Sequence, residues 1–148
     1  MSEMSVRGMK VASLGGFQVL KRGGTALDAV ETAVRALEDD PAFNAGRGSV
    51  LNAYGEVELD AIIMNGRTLA TGAVSSVRNI ANPVTLARAV MEKTDHVMLT
   101  DRGANLFADS IGIGRVPGDA LVMEQERKDW QQHQKYSLGV KNLFNSQW

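Results

Sequence analysis

Glu38, Asp39 and Asp40 stand in a row directly before Pro41-Ala42-Phe43, and Asn44-Ala45-Gly46-Arg47-Gly48 follows at once. Three adjoining carboxylates are raw material for a hard-cation site, because calcium and similar ions take oxygen ligands. The alternating Asp-x-Asp-x-Asp-Gly spacing with a later bidentate glutamate is missing, so the stretch does not read as a calcium loop. Two readings stay open. One is a solvated helix terminus. The other starts from the mismatch between acids and the negative end of a helix dipole, which calls for nearby compensation such as a cation held by backbone carbonyls. Gly46 and Gly48 permit the positive φ angles that a carbonyl-inward loop requires.

Other chemistry-bearing residues carry weaker signals. His96 and His133 are isolated, and neither has a legible serine or cysteine partner for nucleophilic catalysis. Gly112-Ile113-Gly114 lacks the third glycine and the preceding strand of a dinucleotide fingerprint. Arg22-Gly23-Gly24 reads as a helix stop, and Trp130 as a local apolar anchor in a charged segment.

Composition excludes several classes. Lysine plus arginine (16) nearly balance aspartate plus glutamate (17), which leaves no field to attract nucleic acid or an anionic membrane. With 148 residues, 44% of them hydrophobic, the chain can build a real core. It contains no cysteine, which removes disulfides and thiolate chemistry and fits a reducing, cytoplasmic setting. No apolar run reaches the length of a membrane span or a secretory core, so neither insertion nor secretion is expected.

The elements follow from periodicity. Val6, Met9, Leu14, Phe17 and Leu20 recur at roughly helical spacing, predicting an amphipathic helix over residues 5–22, weakened by Gly15-Gly16. Thr25-Ala26-Leu27-Asp28 matches a capping box and opens a second helix with Leu27, Val30, Val34 and Leu37 on one face. Period two takes over afterwards. Strands at about 49–52, 56–64 and 69–77 predict a three-strand meander, with Asn65-Gly66 as its hairpin turn. Asn82-Pro83 predicts a cap and first-turn proline for a helix to Lys93, residues 96–100 another strand, and Asp101 the cap of a helix to about Ile111. The layered region therefore covers residues 1–125. Residues 126–148, almost wholly polar at first, read as a solvated helix or linker tail.

The stretches GGTALDAVETAVRALEDDPAFNAGRGSVLN and GEVELDAIIMNGRTLATGAVSSVRNIANPVTLARAVMEKTDHVMLTDRGANLFA resemble the plant-type L-asparaginase/isoaspartyl peptidase family of N-terminal-nucleophile hydrolases. The likeness runs from Ser5 to about Leu143 and is that of the portion that becomes the α subunit. It implies an α+β fold, the N-terminal part of an αββα sandwich with an incomplete sheet. It also implies a precursor that cuts itself before a threonine, which then hydrolyses L-asparagine and β-aspartyl peptides. By the same resemblance the loop wraps a structural sodium ion with the main-chain carbonyls of Leu37, Glu38, Asp40, Phe43, Ala45 and Arg47, and Asn44 supports the threonine.

Two departures from the family pattern shape the functional expectation. The upstream strand with its His-Gly-Gly-Ala-Gly-like turn has no counterpart, and Lys141-Asn142-Leu143 leads into Phe144-Asn145-Ser146-Gln147-Trp148 in place of Gly-Thr-Val-Gly. No catalytic residue is therefore assigned within the chain. Ser146 is not expected to replace the threonine, having neither a base nor a scaffold. The expectation is a truncated hydrolase, inactive alone, that needs a complementary β-subunit-like half or a full-length homologue. The alternative is a non-catalytic interaction or regulatory fragment that pairs with the full-length enzyme. No cofactor beyond the sodium ion, no nucleic acid and no membrane is expected.

Overall fold

The computed structural model describes residues 3–145. Helix α1 spans Glu3–Lys21 and α2 spans Ala26–Glu38. Between them the Gly23 amide donates to the Leu20 carbonyl and the Gly24 amide to the Val19 carbonyl, with Gly23 at φ +84°. That is a Schellman ending, and it needs a glycine at the left-handed position. The capping box forms as expected: Thr25 Oγ1 accepts from the Asp28 amide at 3.1 Å, and Asp28 Oδ2 accepts from the Thr25 amide at 3.1 Å.

The face on which α1 packs differs from the expectation. Its buried residues are Gly8, Ala12 and Gly16, one above another at four-residue spacing, while Leu14 and Phe17 are 59% and 62% exposed. A Cβ on Gly16 would stand 2.9 Å from the Ala29 carbonyl oxygen, so the two helices meet through backbone closeness rather than through large side chains. The Gly15-Gly16 pair thus supplies the contact instead of a weakness. Val30 of α2, also expected inside, is half exposed, whereas Leu27 and Val34 pack against the core.

Strands β1 (Leu59–Met64), β2 (Thr71–Val77) and β3 (Met98–Thr100) form one sheet in that order among the described residues. β1 and β2 are antiparallel, Ile62 facing Ala73, with a bulge between Leu59 and Ala61; β2 and β3 are parallel, joined through helix α3 (Pro83–Lys93). The expected meander is therefore wrong in its first strand. Residues 49–52 form no strand, because their amides are claimed elsewhere: Val50 donates to Asn44 Oδ1 and Asn52 to the Glu56 carbonyl. The Asn65-Gly66 hairpin exists, but its loop is longer than two residues. Asn65 Oδ1 accepts from the amides of Arg67 and Thr68, the Asn65 amide donates to Ala70, and Leu69 takes φ +60°. An asparagine side chain that satisfies turn amides in this way widens the turn.

Helix α4 (Asp101–Ser110) begins on Asp101, with Thr100 rather than Asp101 at the cap position. A short 3-10 turn at Gly118–Ala120 precedes α5 (Glu124–Asn145), so the polar tail is helical as far as it is described; Ser146 lies outside the described residues. Trp130 anchors α5 by donating its Nε1 proton to the Asn52 carbonyl at 2.9 Å.

The core lies on one face of the sheet. Leu59, Ile63, Val74 and Val77 meet Val84, Leu86, Ala87 and Val90 of α3 and Ala104 and Ala108 of α4 in a single cluster. α3 lies so close to β2 that any Cβ on Gly72 would collide with the Ala87 and Met91 backbone. The opposite face is open, with Ile62 70% and Met64 54% exposed and Met98 beside them. This is the arrangement of one α layer on one β layer, an α+β domain with an incomplete sandwich, as the resemblance implied.

α2 is fastened to α3 by charge. Arg88 reaches Asp28 at 2.7 Å, Glu31 at 2.8 Å and Glu92 at 2.7 Å, and Thr85 Oγ1 donates to Glu31 at 2.6 Å. Bonds from Thr25 first, then Arg88, hold the Asp28 carboxyl at about 2, below its ordinary 3.8. A depressed acid contributes stability that is fully present above the unfolded-state value and is lost as pH falls through the folded one. An acid titration followed by circular dichroism should therefore show a stability loss between about pH 4 and 2 that is absent in Asp28→Asn, whose melting temperature at pH 7 should already be lower.

Candidate functional site

The loop from Asp39 to Gly48 leaves the end of α2 and returns to it. The Arg47 amide donates to the Glu38 carbonyl at 2.8 Å, closing the ring, and the Phe43 amide donates to the Asp40 carbonyl at 3.1 Å. The ring is then tied to the body of the protein by the Gly48 amide, which donates to the Leu121 carbonyl at 2.9 Å. Pro41 has no N–H and cannot continue the helix onto the Leu37 carbonyl. That carbonyl is left for another partner.

The two glycines serve different purposes. Gly48 sits at φ +86°, as the sequence implied, and a Cβ there would lie 2.7 Å from the Pro41 carbonyl oxygen. Gly46 is not at positive φ. It is required because a Cβ would lie 2.5 Å from the Glu38 carbonyl oxygen and 3.0 Å from Glu38 Cβ. The loop is drawn tightly around the Glu38 main chain.

The three acids do not converge. Glu38 Oε1 accepts from the Val84 amide at 2.9 Å, Asp39 Oδ1 from Asn82 Nδ2 at 3.0 Å, and Asp40 Oδ1 from the Ala42 amide at 2.9 Å. Among the described residues no group of three His, Asp or Glu side chains is arranged to hold a metal. Compensation for acids at the end of α2 comes from the start of α3, where the Val84 amide, at the positive end of the helix, donates to Glu38. Sequence reading missed this, because Glu38 and Val84 are far apart along the chain and no local pattern marks the contact.

Glu38 is 2% exposed, and its Oε2 is buried with no hydrogen-bond partner among the described residues. Burial pushes its carboxyl up to about 7, against the opposing effects of the Val84 amide and of the nearby Asn82 side chain, whose own bond goes to Asp39. Asn44, by contrast, is at the surface; its Oδ1 accepts from the Val50 amide at 3.1 Å. That bond fixes the side-chain plane and leaves the Nδ2 protons available as donors. Of the six carbonyls named from the sequence, those of Glu38 and Asp40 each accept one amide proton and keep a second lone pair.

A second concave region was not signalled by any motif. A groove of about 710 Å³ lies between the ends of β2 and β3 and α4, lined by Arg78, Asn79, Asp101, Arg102 and Leu121 among others, and by none of the loop residues. Arg78 there is engaged by Glu58 and, at 3.1 Å, by Glu56, while the buried Asn105 side chain bonds both its amide and its carbonyl.

The asparaginase family model matches residues 1–147. The chain belongs to this family. It is 59% identical over 128 residues to an isoaspartyl peptidase/L-asparaginase of Xenopus laevis, covering 86% of this chain and 41% of that protein. It is 56% identical over 131 residues to the protein of the same description from Homo sapiens, covering 87% and 42%. A plant-type L-asparaginase of Pyrococcus abyssi is 50% identical over 127 residues, covering 86% and 40%. The chain thus spans about two fifths of the length of these relatives. The helix pair, the Asp39–Gly48 loop and the sheet all lie within the residues that the family model matches.

The glycine geometry yields a direct test. Gly46→Ala should destabilise the chain by about 1–3 kcal/mol through overpacking against Glu38, read from urea melts. Gly103→Ala, which meets nothing within 4 Å on helix α4, should be neutral or stabilising by about 0.5–1 kcal/mol.

Proposed function

We propose that this chain supplies the loop-bearing part of a hydrolase acting on L-asparagine and on β-aspartyl peptides. The observation that carries the reading is Asn44, locked by the Val50 amide on a glycine-tight loop, in a chain of the asparaginase family. In this reading the asparagine amide donates toward a threonine nucleophile that self-cleavage of a precursor exposes. The threonine, its amine base and the groups that hold the substrate come from the part of the relatives' length that these residues do not match. A preorganised amide donor is worth most where it faces charge that develops during reaction.

The exposed sheet face supports the reading that a complementary half joins this chain. The open face of the sheet, with Ile62, Met64 and Met98, is apolar surface of the kind that association covers. No helix among the described residues is long and apolar enough to cross a membrane, and the proposed compartment is the cytoplasm.

The loop would hold sodium through the carbonyls of Leu37, Glu38, Asp40, Phe43, Ala45 and Arg47. Two observations support the fit: the three carboxylates are each occupied elsewhere, and the glycines allow the main chain to close around the Glu38 carbonyl. Bound there, the ion would supply rigidity rather than chemistry.

Two experiments test this. The 148-residue chain alone should release neither ammonia from L-asparagine nor aspartate from a β-aspartyl dipeptide. Co-expression with the nucleophile-bearing half of a relative should restore turnover, and Asn44→Ala should then cut kcat about 100-fold. Turnover by the isolated chain, or an assembly indifferent to Asn44, would reject the assignment. Separately, thermal melts in sodium, potassium and calcium should show stabilisation by sodium that survives Asp39→Asn; stabilisation by calcium that vanishes in that variant would reject the carbonyl site.

A further inference from the structure

We infer that Glu38 is the positioning residue for Asn44, registering the Asp39–Gly48 loop against α3 and thereby against the sheet; this rests on the reading of Asn44 given above.

Glu38, the last residue of α2, takes part in three contacts with the loop and with α3. Its carbonyl accepts from Arg47 and closes the ring, its Cβ and carbonyl form the surface onto which Gly46 is pressed, and its side chain enters the first turn of α3 to accept from Val84. Asn44 lies between the two ends of that ring. Immediately beyond it the Ser49 amide donates to the Gly46 carbonyl at 3.2 Å, and the Val50 amide donates to Asn44 Oδ1. The bond that orients Asn44 is therefore made by residues whose path is set where the ring closes on Glu38.

The far end of the connection is rigid. α3 rests on Gly72 of β2 without room for a Cβ, and Val84, Leu86 and Val90 are fully buried beneath it. Asn82, the residue at the cap position of α3, makes no side-chain cap bond and reaches back to Asp39 instead. Capping is thus exchanged between elements: α2 caps α3, and the residue before α3 holds the one after α2. A loop fastened this way keeps a fixed register to the sheet.

Stability alone does not account for a carboxyl at this point. One oxygen suffices to cap α3, while Oε2 is buried without a partner among the described residues, and burying an unmatched polar atom is unfavourable. An apolar side chain of the same volume would remove that cost and lose only the aimed acceptor. What Glu38 adds is direction.

The test uses amide hydrogen exchange, resolved by residue, on the chain or, if its core is unprotected, on its assembly with the complementary half. Glu38→Met keeps the volume and removes the acceptor; Glu38→Gln keeps an acceptor for Val84. In Glu38→Met the Val50 amide, which Glu38 does not touch, should exchange about tenfold faster than can be explained by the change at core amides of β2. In Glu38→Gln both should stay within about threefold of the parent. In an active assembly the methionine variant should lower kcat with little change in KM, and glutamine should rescue it. Val50 exchange that merely tracks the core in Glu38→Met, or a glutamine variant that behaves like methionine, would overturn the inference. Absence of all turnover in the parent assembly would instead count against the proposed function and leave the exchange result standing on its own.

Discussion

Where α2 ends and α3 begins, Glu38 and Asp39 meet the Val84 main-chain amide and the Asn82 side-chain amide, and the placing of the loop against the helices and the sheet follows from that meeting. Acids at the C-terminal end of a helix are unfavourable on their own, since they face its negative pole. Placing the N-terminal turn of another helix against them reverses the sign of the interaction. Glu38 and Asp39 then face Val84 and Asn82, and Arg88 continues the same seam one turn further along toward Asp28 and Glu31. The first helix is not part of this seam; it rides on α2 through Gly8, Ala12 and Gly16, and on the loop, since a Cβ at Gly8 would collide with Phe43.

The seam also explains why the acidic run need not be an ion-binding cluster. Each carboxylate is committed to a different donor, two of them across to α3 and one within its own turn. The main chain, where Pro41 removes a helix bond and Gly46 and Gly48 allow a tight fold, is what the proposed sodium site would use instead.

The sheet shows the opposite of closure. Its α3 and α4 face is packed with branched and small residues, whereas Ile62, Met64 and Met98 lie on the bare face, and Leu14 and Phe17 of α1 are likewise uncovered. A chain that matches about two fifths of its relatives' length would be expected to show such faces, because a layered fold buries a sheet only when both layers are present.

Local chemistry was readable without a structure wherever the decisive partners are close in the chain. The Thr25–Asp28 capping box, the stop at Gly23-Gly24 and the proline start of α3 all depend on contacts within a few residues, and all are present. The family, too, was legible, because the order of its motifs is a property of sequence. Periodicity misled at α1, where the apolar stripe faces outward and the small residues face in, because backbone approach between helices selects for the absence of side chains and a hydrophobicity pattern cannot register that. It misled again at residues 49–52, whose amides were taken by Asn44 and Glu56 instead of a strand. By itself the sequence determined the helices, the turns, the loop's glycine-rich character and the family. Only the tertiary structure decided which carboxylate meets which amide, since Glu38 and Val84, 46 residues apart, come together only when α3 is packed on Gly72 of the sheet.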